Sequence, residues 1–370
     1  MLILGGGLMG LAIAHQLARR GTPVRVLSRR RSEAAGFVAA GMLAPHAEGL
    51  SGDLLALGQA SLARIPAWLA EVEADSGLDC GLRACGIVVP FASAADRDAY
   101  PTAGWGEPLD RPALERQIPG IGPRWQAGLL FPQDGQIDNR RRLMRALERA
   151  CVALGVQFQE GDEVLSLEEA NGRLKAIRLR TAEGELSRLE TRRAVLTCGA
   201  WSAALLPQLP VFPVKGQMLS LQGPLQALPK VIFGPGTYLV PREDGLVVVG
   251  ATSEPEAGFG EGLTPAGQRQ LQEGIAELLP AASGWPPMER WWGFRPCTPD
   301  EAPLLGAGPL PGLWLATGHH RNGVLLAAIT ASLVADQLAE APLRQEAEQA
   351  GTNQDAARWL AAFRWDRFSR

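Results

Sequence analysis

Three glycines, Gly5, Gly7 and Gly10, follow a short apolar run in the pattern G-x-G-x-x-G and lead into a stretch of helical spacing. Between a strand and a helix, such glycines let the backbone turn tightly and approach a pyrophosphate, while the helix N-terminus meets the phosphate charge. The pattern predicts a dinucleotide site, against the plainer reading of a structural glycine turn. The next strand ends in Ser28, followed by Arg29, Arg30 and Arg31, where an acidic residue for ribose hydroxyls would be expected. A small residue with arginines suits the 2′-phosphate of NADP. A solvated basic loop in an arginine-rich chain suits the same residues equally, and the local sequence leaves both readings open.

Three further segments carry chemistry. Residues 38–46, Val-Ala-Ala-Gly-Met-Leu-Ala-Pro-His, are small enough to lie flat against a bulky planar group, or to start a compact alanine-rich helix. Trp292-Gly293-Phe294-Arg295-Pro296-Cys297-Thr298-Pro299-Asp300 holds an arginine between an aromatic and a proline. That two-pronged donor can clamp a carboxylate or form an ordinary salt bridge. Gly318-His319-His320-Arg321-Asn322-Gly323 precedes an apolar helix, whose amides and dipole could stabilise negative charge or simply cap the helix.

The elements that must position these residues follow from periodicity. A strand over 1–4, a turn over 5–10, a helix over 11–20 and a strand over 24–27 make a βαβ start. After a loop at 34–49 comes a helical region to about 76, and 92–126 reads as irregular with short helices. A helix is expected over 136–154, with Arg140, Arg141, Arg142 and Arg145 on its wet side, then strands through 189 and a buried strand at 194–198. Residues 211–252 are β-rich, 265–279 helical, 313–316 a strand and 324–338 a helix. The expected fold class is α/β (α+β overall). A nucleotide-binding domain takes 1–80, 138–205 and 295–345, a β-rich substrate domain takes 81–137 and 206–294, and 346–370 forms a helical tail.

Composition bounds the rest. With 370 residues, 46% hydrophobic and 20% charged, the chain can bury a large core and is not disordered. Lys and Arg number 36 against 39 Asp and Glu, a net charge of -3, so no nucleic-acid partner is expected. Cys80, Cys85, Cys151, Cys198 and Cys297 are scattered, with no C-x-x-C and no His at ligand spacing, which predicts reduced thiols, a cytoplasmic location and no metal. The apolar stretch 323–335 falls short of the ~20 residues that cross a bilayer, so no membrane span is expected. No basic residue precedes the glycine-rich start, so no targeting segment is expected there either.

Taken in order, the glycine motif, A-A-G-M-L-A-P-H-A-E, V-K-G-Q, Y-L-V-P-R, V-V-G-A-T, G-F-R-P-C-T-P-D and G-H-H-R-N-G-V-L-L-A resemble the FAD-dependent glycine oxidases of thiamine biosynthesis, in the D-amino-acid oxidase and sarcosine oxidase superfamily. The likeness runs from residue 1 to about 338. It implies a Rossmann-type FAD-binding domain built from discontinuous segments, and it places Ser28 and Arg29 near the adenosine ribose with no NADP site. FAD would rest on Gly5, Gly7, Leu8, Met9 and Gly10, on Ala40, Gly41 and Met42, on Val164, Gly199 and Trp201, and on His320, Arg321, Asn322, Gly323 and Val324. By the same likeness Arg295 clamps the substrate carboxylate, Tyr238 hydrogen-bonds it, Arg321 shares the pocket or the flavin edge, and Met42 and Ser253 line the pocket. His319 and His320 either help to remove the ammonium proton or pack around the turn. Cys297 follows the Arg-Pro pair and so misses the attachment position of covalent sarcosine oxidases, which implies noncovalent FAD.

The implied activity oxidises glycine, and small amines such as sarcosine or D-alanine, to the imine. Hydride goes to flavin N5, O2 is reduced to hydrogen peroxide, and the imine is hydrolysed or passed to a thiazole synthase. Other readings keep the fold: a D-amino-acid dehydrogenase feeding a quinone, another amine oxidase of the same superfamily, and a flavin-bearing scaffold that hands its imine to a thiazole synthase subunit. Trp359, Leu360, Phe363, Trp365 and Phe368 in the tail predict a helix packed on the body or on a second copy of the chain, as in a homo-oligomer.

Overall fold

A computed structural model describes residues 1–340 and 354–368. Its centre is a six-stranded sheet in the order Leu304–Ala307, Leu313–Thr317, Ala194–Leu196, Leu2–Leu4, Arg25–Ser28, Gln157–Glu160, parallel except for the first edge strand. Parallel strands covered on both faces read as short continuous apolar runs, and Leu2–Leu4 and Ala194–Leu196 are buried throughout. Alternation sorts their side chains. Ile3, Val26 and Val195 face a core made with the helices Leu8–Arg19, Gly52–Ser76, Met144–Ala153 and Gly323–Glu340. Leu2, Leu4, Leu27 and Leu196 face Leu174, Ile177 and Leu179 of an antiparallel meander, Glu163–Ala170, Arg173–Arg180 and Leu186–Glu190.

A second sheet has eight strands in the order Pro287–Cys297, Phe212–Gln222, Leu246–Gly250, Thr237–Pro241, Val231–Gly234, Ile87–Phe91, Ala127–Phe131, Glu107–Asp110. Most of it is antiparallel, with Val231–Gly234 and Ile87–Phe91 pairing parallel. A further small sheet ties Met42–Leu43 to Gly135–Ile137 and Leu82–Arg83.

Several boundaries differ from the sequence expectation. The first helix starts at Leu8, so the third glycine of the motif lies inside it. The stretch 136–154 is no single helix: Gly135–Ile137 is a strand held by Met42–Leu43, and the helix Met144–Ala153 follows a wider turn, Asn139–Leu143. The same pairing makes 42–43 a strand rather than a helix start. Residues 92–126 contain a real strand, Glu107–Asp110, beside the helices Ala94–Asp98 and Arg111–Gln117. His320–Ala339 runs 20 residues, long and apolar enough to cross a membrane by those two measures, yet 78% of its apolar window is buried within the protein.

Within the tail, Gln354–Ala362 is a helix whose Trp359, with Phe363 just past its end, enters the helical core, and Leu305 N–H is bonded to the Phe363 carbonyl at 2.9 Å. Arg367 forks onto Asp300 with both bonds at 2.8 Å. The described tail thus packs on the body; 346–353 and 369–370 of the expected segment lie outside the described residues.

Candidate active site at the carboxyl edge of the parallel sheet

The loops leaving the carboxyl ends of five parallel strands converge on one cavity of about 540 Å³, the position where such sheets bind ligands. At one end the lining is backbone. Gly5 has φ +112, and a Cβ there would stand 2.5 Å from the Thr197 carbonyl oxygen. A Cβ on Gly10 would collide with the Gly5 carbonyl oxygen, so Gly10 serves by letting helix and turn touch; it does not line the cavity. Thr197 Oγ1 ties the turn down by donating to the carbonyls of Leu4 and Gly5 at 3.0 and 2.7 Å. Gly7 caps the helix without a side-chain acceptor, which turns the first-turn amides of Leu8 and Met9 toward the cavity, where they suit a pyrophosphate.

Beyond Ser28 the arginines are committed to carboxylates. Arg29 pairs with Glu33 and Glu163, each at 3.2 Å, and lies 5.8 Å over the Trp201 ring. Arg30 pairs with Glu33 at 3.0 Å, and Arg31 with Glu148 and Glu160, each at 2.8 Å. This lining suits an adenosine bounded by Ser28, Glu33, Val164 and Trp201 and leaves a 2′-phosphate facing arginines already engaged. The loop 38–42 lies along the middle of the cavity. Trp291 Nε1 donates to the Val38 carbonyl at 2.9 Å, the buried Arg242 to the Ala40 carbonyl at 2.5 Å, and Ile137 N–H to the Gly41 carbonyl at 2.8 Å. Gly41 has φ +84 and passes so close to Ile137 that a side chain would strike it.

At the other end, side chains do the lining. Arg295 stands on Pro287–Cys297 opposite Val214, and its guanidinium rests over Gly216, where a Cβ would approach Nη1 to 2.5 Å. Arg295 Nη1 donates to the Thr252 carbonyl at 3.0 Å, leaving the rest of the fork toward the cavity. Tyr238 pairs across the sheet with Gly250, and its ring covers the space a side chain there would need. Burial pushes the Tyr238 hydroxyl above its ordinary value against the opposing pull of Arg295, so it stays protonated and able to donate. Met42, Phe233 and Phe294 supply apolar wall.

Burial also sets the remaining charges. His319 and His320 are pushed down to about 3 by desolvation, with Arg295 and Arg321 adding to the effect at His320, so both are neutral. His319 Nε2 lies 3.1 Å from the Thr330 hydroxyl. Arg321 stands at the mouth, 43% exposed, with Nε 2.7 Å from Glu48 and Nη2 3.6 Å from Glu301. The Glu48 side chain is only 5% exposed, and burial pushes its carboxyl up to about 7 against Arg321 and Arg295.

The cavity brings together Gly5, Gly7, Leu8, Met9, Ser28, Arg29, Ala40, Gly41, Met42, Val164, Gly199, Trp201, Tyr238, Arg295, His320, Arg321, Gly323 and Val324. Asn322 is buried behind the turn, its N–H bonded to the His319 carbonyl at 2.9 Å. Ser253, expected beside the substrate, is exposed and off the cavity. Its neighbour Thr252 is the inward residue, accepting from Gln217 N–H at 2.9 Å while its carbonyl meets Arg295, and one step along the chain turns Ser253 to solvent. Sequence reasoning missed Glu33, Gly216, Gly250 and Glu48. Glu48 stood inside the quoted A-P-H-A-E, but only burial reveals its character.

Residues 1–337 match the family of FAD-dependent oxidoreductases. The chain is 44% identical over 344 residues to a bifunctional protein ThiO/ThiG of Synechocystis, covering 91% of this chain and 51% of that protein. It thus spans about half the length of that and two further bifunctional relatives. It is 31% identical over 352 residues to a glycine oxidase of Pseudomonas aeruginosa, covering 91% of this chain and 93% of the other. The solved glycine oxidase of Geobacillus kaustophilus superposes with a TM-score of 0.86 at 28% identity, over 99% of this chain and 98% of that one. A glycine turn open to a pyrophosphate and a flat loop along the middle, with Arg295 lining the far end, fit the flavin cofactor of that family. The chain belongs to the FAD-dependent oxidoreductases, with FAD as its cofactor.

Proposed function

We propose that this protein is a glycine oxidase, converting glycine and small amines such as sarcosine or D-alanine to their imines with O2 as the terminal acceptor and hydrogen peroxide as by-product. The observation that carries the reading is the pairing of Arg295 and Tyr238 over two glycines, Gly216 and Gly250, at the substrate end of the flavin cavity. When bound, FAD supplies the acceptor for the hydride that leaves the α-carbon. Arg295 binds the carboxylate with the free part of its fork and Tyr238 donates to it, so together they fix the α-carbon in one orientation. Met42, Phe233 and Phe294 keep the reacting carbon dry and the chamber small. The N-terminus of Gly323–Glu340 directs its positive end into the cavity and favours negative charge there.

FAD is held without a covalent bond: Cys297 is buried off the cavity, donates to the Thr298 carbonyl, and has its thiol pushed up to about 11 by burial. The five free cysteines support a cytoplasmic enzyme, and the 44% identity to a ThiO/ThiG protein supports delivery of the imine to a thiazole synthase. The test is anaerobic mixing of purified protein with a panel of amino acids, followed by O2 uptake. Glycine should bleach the visible flavin band and consume O2. Bleaching without O2 uptake would make the protein a quinone-linked dehydrogenase, and no bleaching by any amine would end the reading. Acid precipitation should release yellow FAD into the supernatant.

A further inference from the structure

We propose that Glu48 holds the substrate ammonium and accepts a proton from it while Arg295 holds the carboxylate. The inference rests on the amino-acid oxidase reading of the same cavity. Glu48 lines the chamber that holds Arg295 and Tyr238, and its carboxylate is all but closed to solvent. Arg295 and Glu48, the latter with one oxygen on Arg321 Nε at 2.7 Å, face one mostly apolar space and match a zwitterion, whose two charges would otherwise enter unpaired. The position is fixed from behind. Asp134, fully buried, accepts from the N–H groups of His46 and Ala47 at 3.2 and 2.8 Å and pairs with His46 Nδ1 at 2.6 Å. Thr102 and Tyr100 hydroxyls donate to the carbonyls of His46 and Ala47 at 2.6 and 2.7 Å.

Hydride loss requires the nitrogen lone pair, so one ammonium N–H bond must break before the α C–H bond does. In the proposed step that N–H bond breaks, a Glu48 O–H bond forms, and the freed lone pair supports departure of the hydride to the FAD acceptor. The proton leaves to water when the imine does. The other titratable groups in the chamber are poorly matched: both histidines titrate near 3, far too acidic to take the proton, and the Tyr238 phenol is pushed upward. Glu48 sits near neutrality, where a general base is most effective. The charges that face it are Arg321 from the turn before Gly323–Glu340, Arg295 from the large sheet, Asp134 from the turn between Ala127–Phe131 and Gly135–Ile137, and Glu301 at the mouth, while neutral Tyr100 and Tyr238 lie within its field. The two arginines favour its ionised form; burial and the two carboxylates oppose it.

The test compares the FAD-loaded wild type with Glu48→Gln and Glu48→Asp. Two quantities are followed against pH: kcat/KM for glycine, and the affinity for glycolate, a carboxylate without an ammonium, read from its perturbation of the flavin band. In the wild type, kcat/KM should fall about tenfold per pH unit below about 7, and glycolate should bind more tightly over the same interval as the repelling carboxylate is neutralised. Glu48→Gln should lower kcat/KM at neutral pH by about 100-fold, remove that acid limb and bind glycolate tightly at every pH. Glu48→Asp should keep the limb with part of the rate. An unchanged acid limb in Glu48→Gln, or glycolate affinity that is flat with pH in the wild type, overturns the inference. If the wild type oxidised no amine, the oxidase reading would fail by itself, and the glycolate titration would still decide whether Glu48 changes charge there.

Discussion

At one end of the cavity Gly5 and Gly7 offer backbone held by Thr197, with Gly10 packed behind them, and at the other Arg295 stands among Tyr238, Glu48, His319 and His320, whose charges burial has reset. The first end works through shape. Its glycine turn carries no ionisable side chain, but a methyl group at Gly5 or Gly10 would strike a backbone oxygen. The second end works through charge, and its framework tolerates exchange of the functional groups far better than its chemistry does. Substitutions and pH should therefore separate the two ends, with FAD content and thermal stability reporting on the first and kinetics on the second.

The largest effect is expected from Gly10→Ala. The added Cβ would meet a backbone carbonyl, which cannot swing aside like a side chain, so helix and turn must separate. Purified protein should lack FAD, and Tm should fall by several degrees even without cofactor. Retention of full flavin content would show that the turn is looser than its geometry indicates. Next comes Arg295→Ala, which in the proposed complex removes a charged pair with the substrate carboxylate in a desolvated site, worth on the order of 2 to 5 kcal/mol. kcat/KM should fall by about two orders of magnitude with FAD content and Tm nearly unchanged. Arg295→Lys should recover little, because a point charge cannot reproduce the fork. A loss of FAD in either variant would mean that the two ends are not independent.

A smaller effect concerns pH and stability. His319 and His320 titrate near 3 in the folded chain, against about 6.5 when unfolded. Because the folded values are lower, the unfolded chain binds protons first as pH falls, so the stability they contribute is complete above about 6.5 and is lost progressively toward 3. One pKa unit corresponds to about 1.4 kcal/mol. Between pH 6.5 and 5 the wild type should lose more Tm than His320→Gln does. Equal slopes would show that His320 charges without unfolding.

How far the sequence reveals each end follows from the same contrast. Glycine at Gly5 is a demand of backbone conformation, so residue type alone exposes it. Arg295 is legible as a candidate too, through the G-F-R-P-C-T-P-D motif that carries the resemblance, and the structure places it on the cavity. Glu48 is not: among 39 acidic residues nothing local distinguishes it, and its character comes from Asp134, Arg295 and Arg321, distant in the chain. The same holds for the arginines after Ser28, whose meaning depends on Glu148, Glu160 and Glu163 closing over them. The strand at Gly135–Ile137 is not legible because its partner, Met42–Leu43, lies over 90 residues earlier.

The smallest effect is expected at Ser253, where resemblance and geometry part. Beside the substrate, a change to methionine would fill the chamber and shift preference among glycine, sarcosine and D-alanine, since one methylene in a pocket is worth ~1 to 3 kcal/mol. The structure instead exposes Ser253 and presents Thr252 inward, with the Thr252 carbonyl bonded to Arg295. Ser253→Met should therefore leave the three kcat/KM ratios within about twofold, as exposed substitutions generally lie within ±0.5 kcal/mol. Thr252→Ala gives the contrast. It removes the hydroxyl that accepts from Gln217 N–H and donates to Glu254, loosening the segment on which Arg295 leans. That variant should raise KM for glycine several-fold with FAD still bound. A shift in ratios with Ser253→Met and none in KM with Thr252→Ala would mean that the segment turns over when substrate binds.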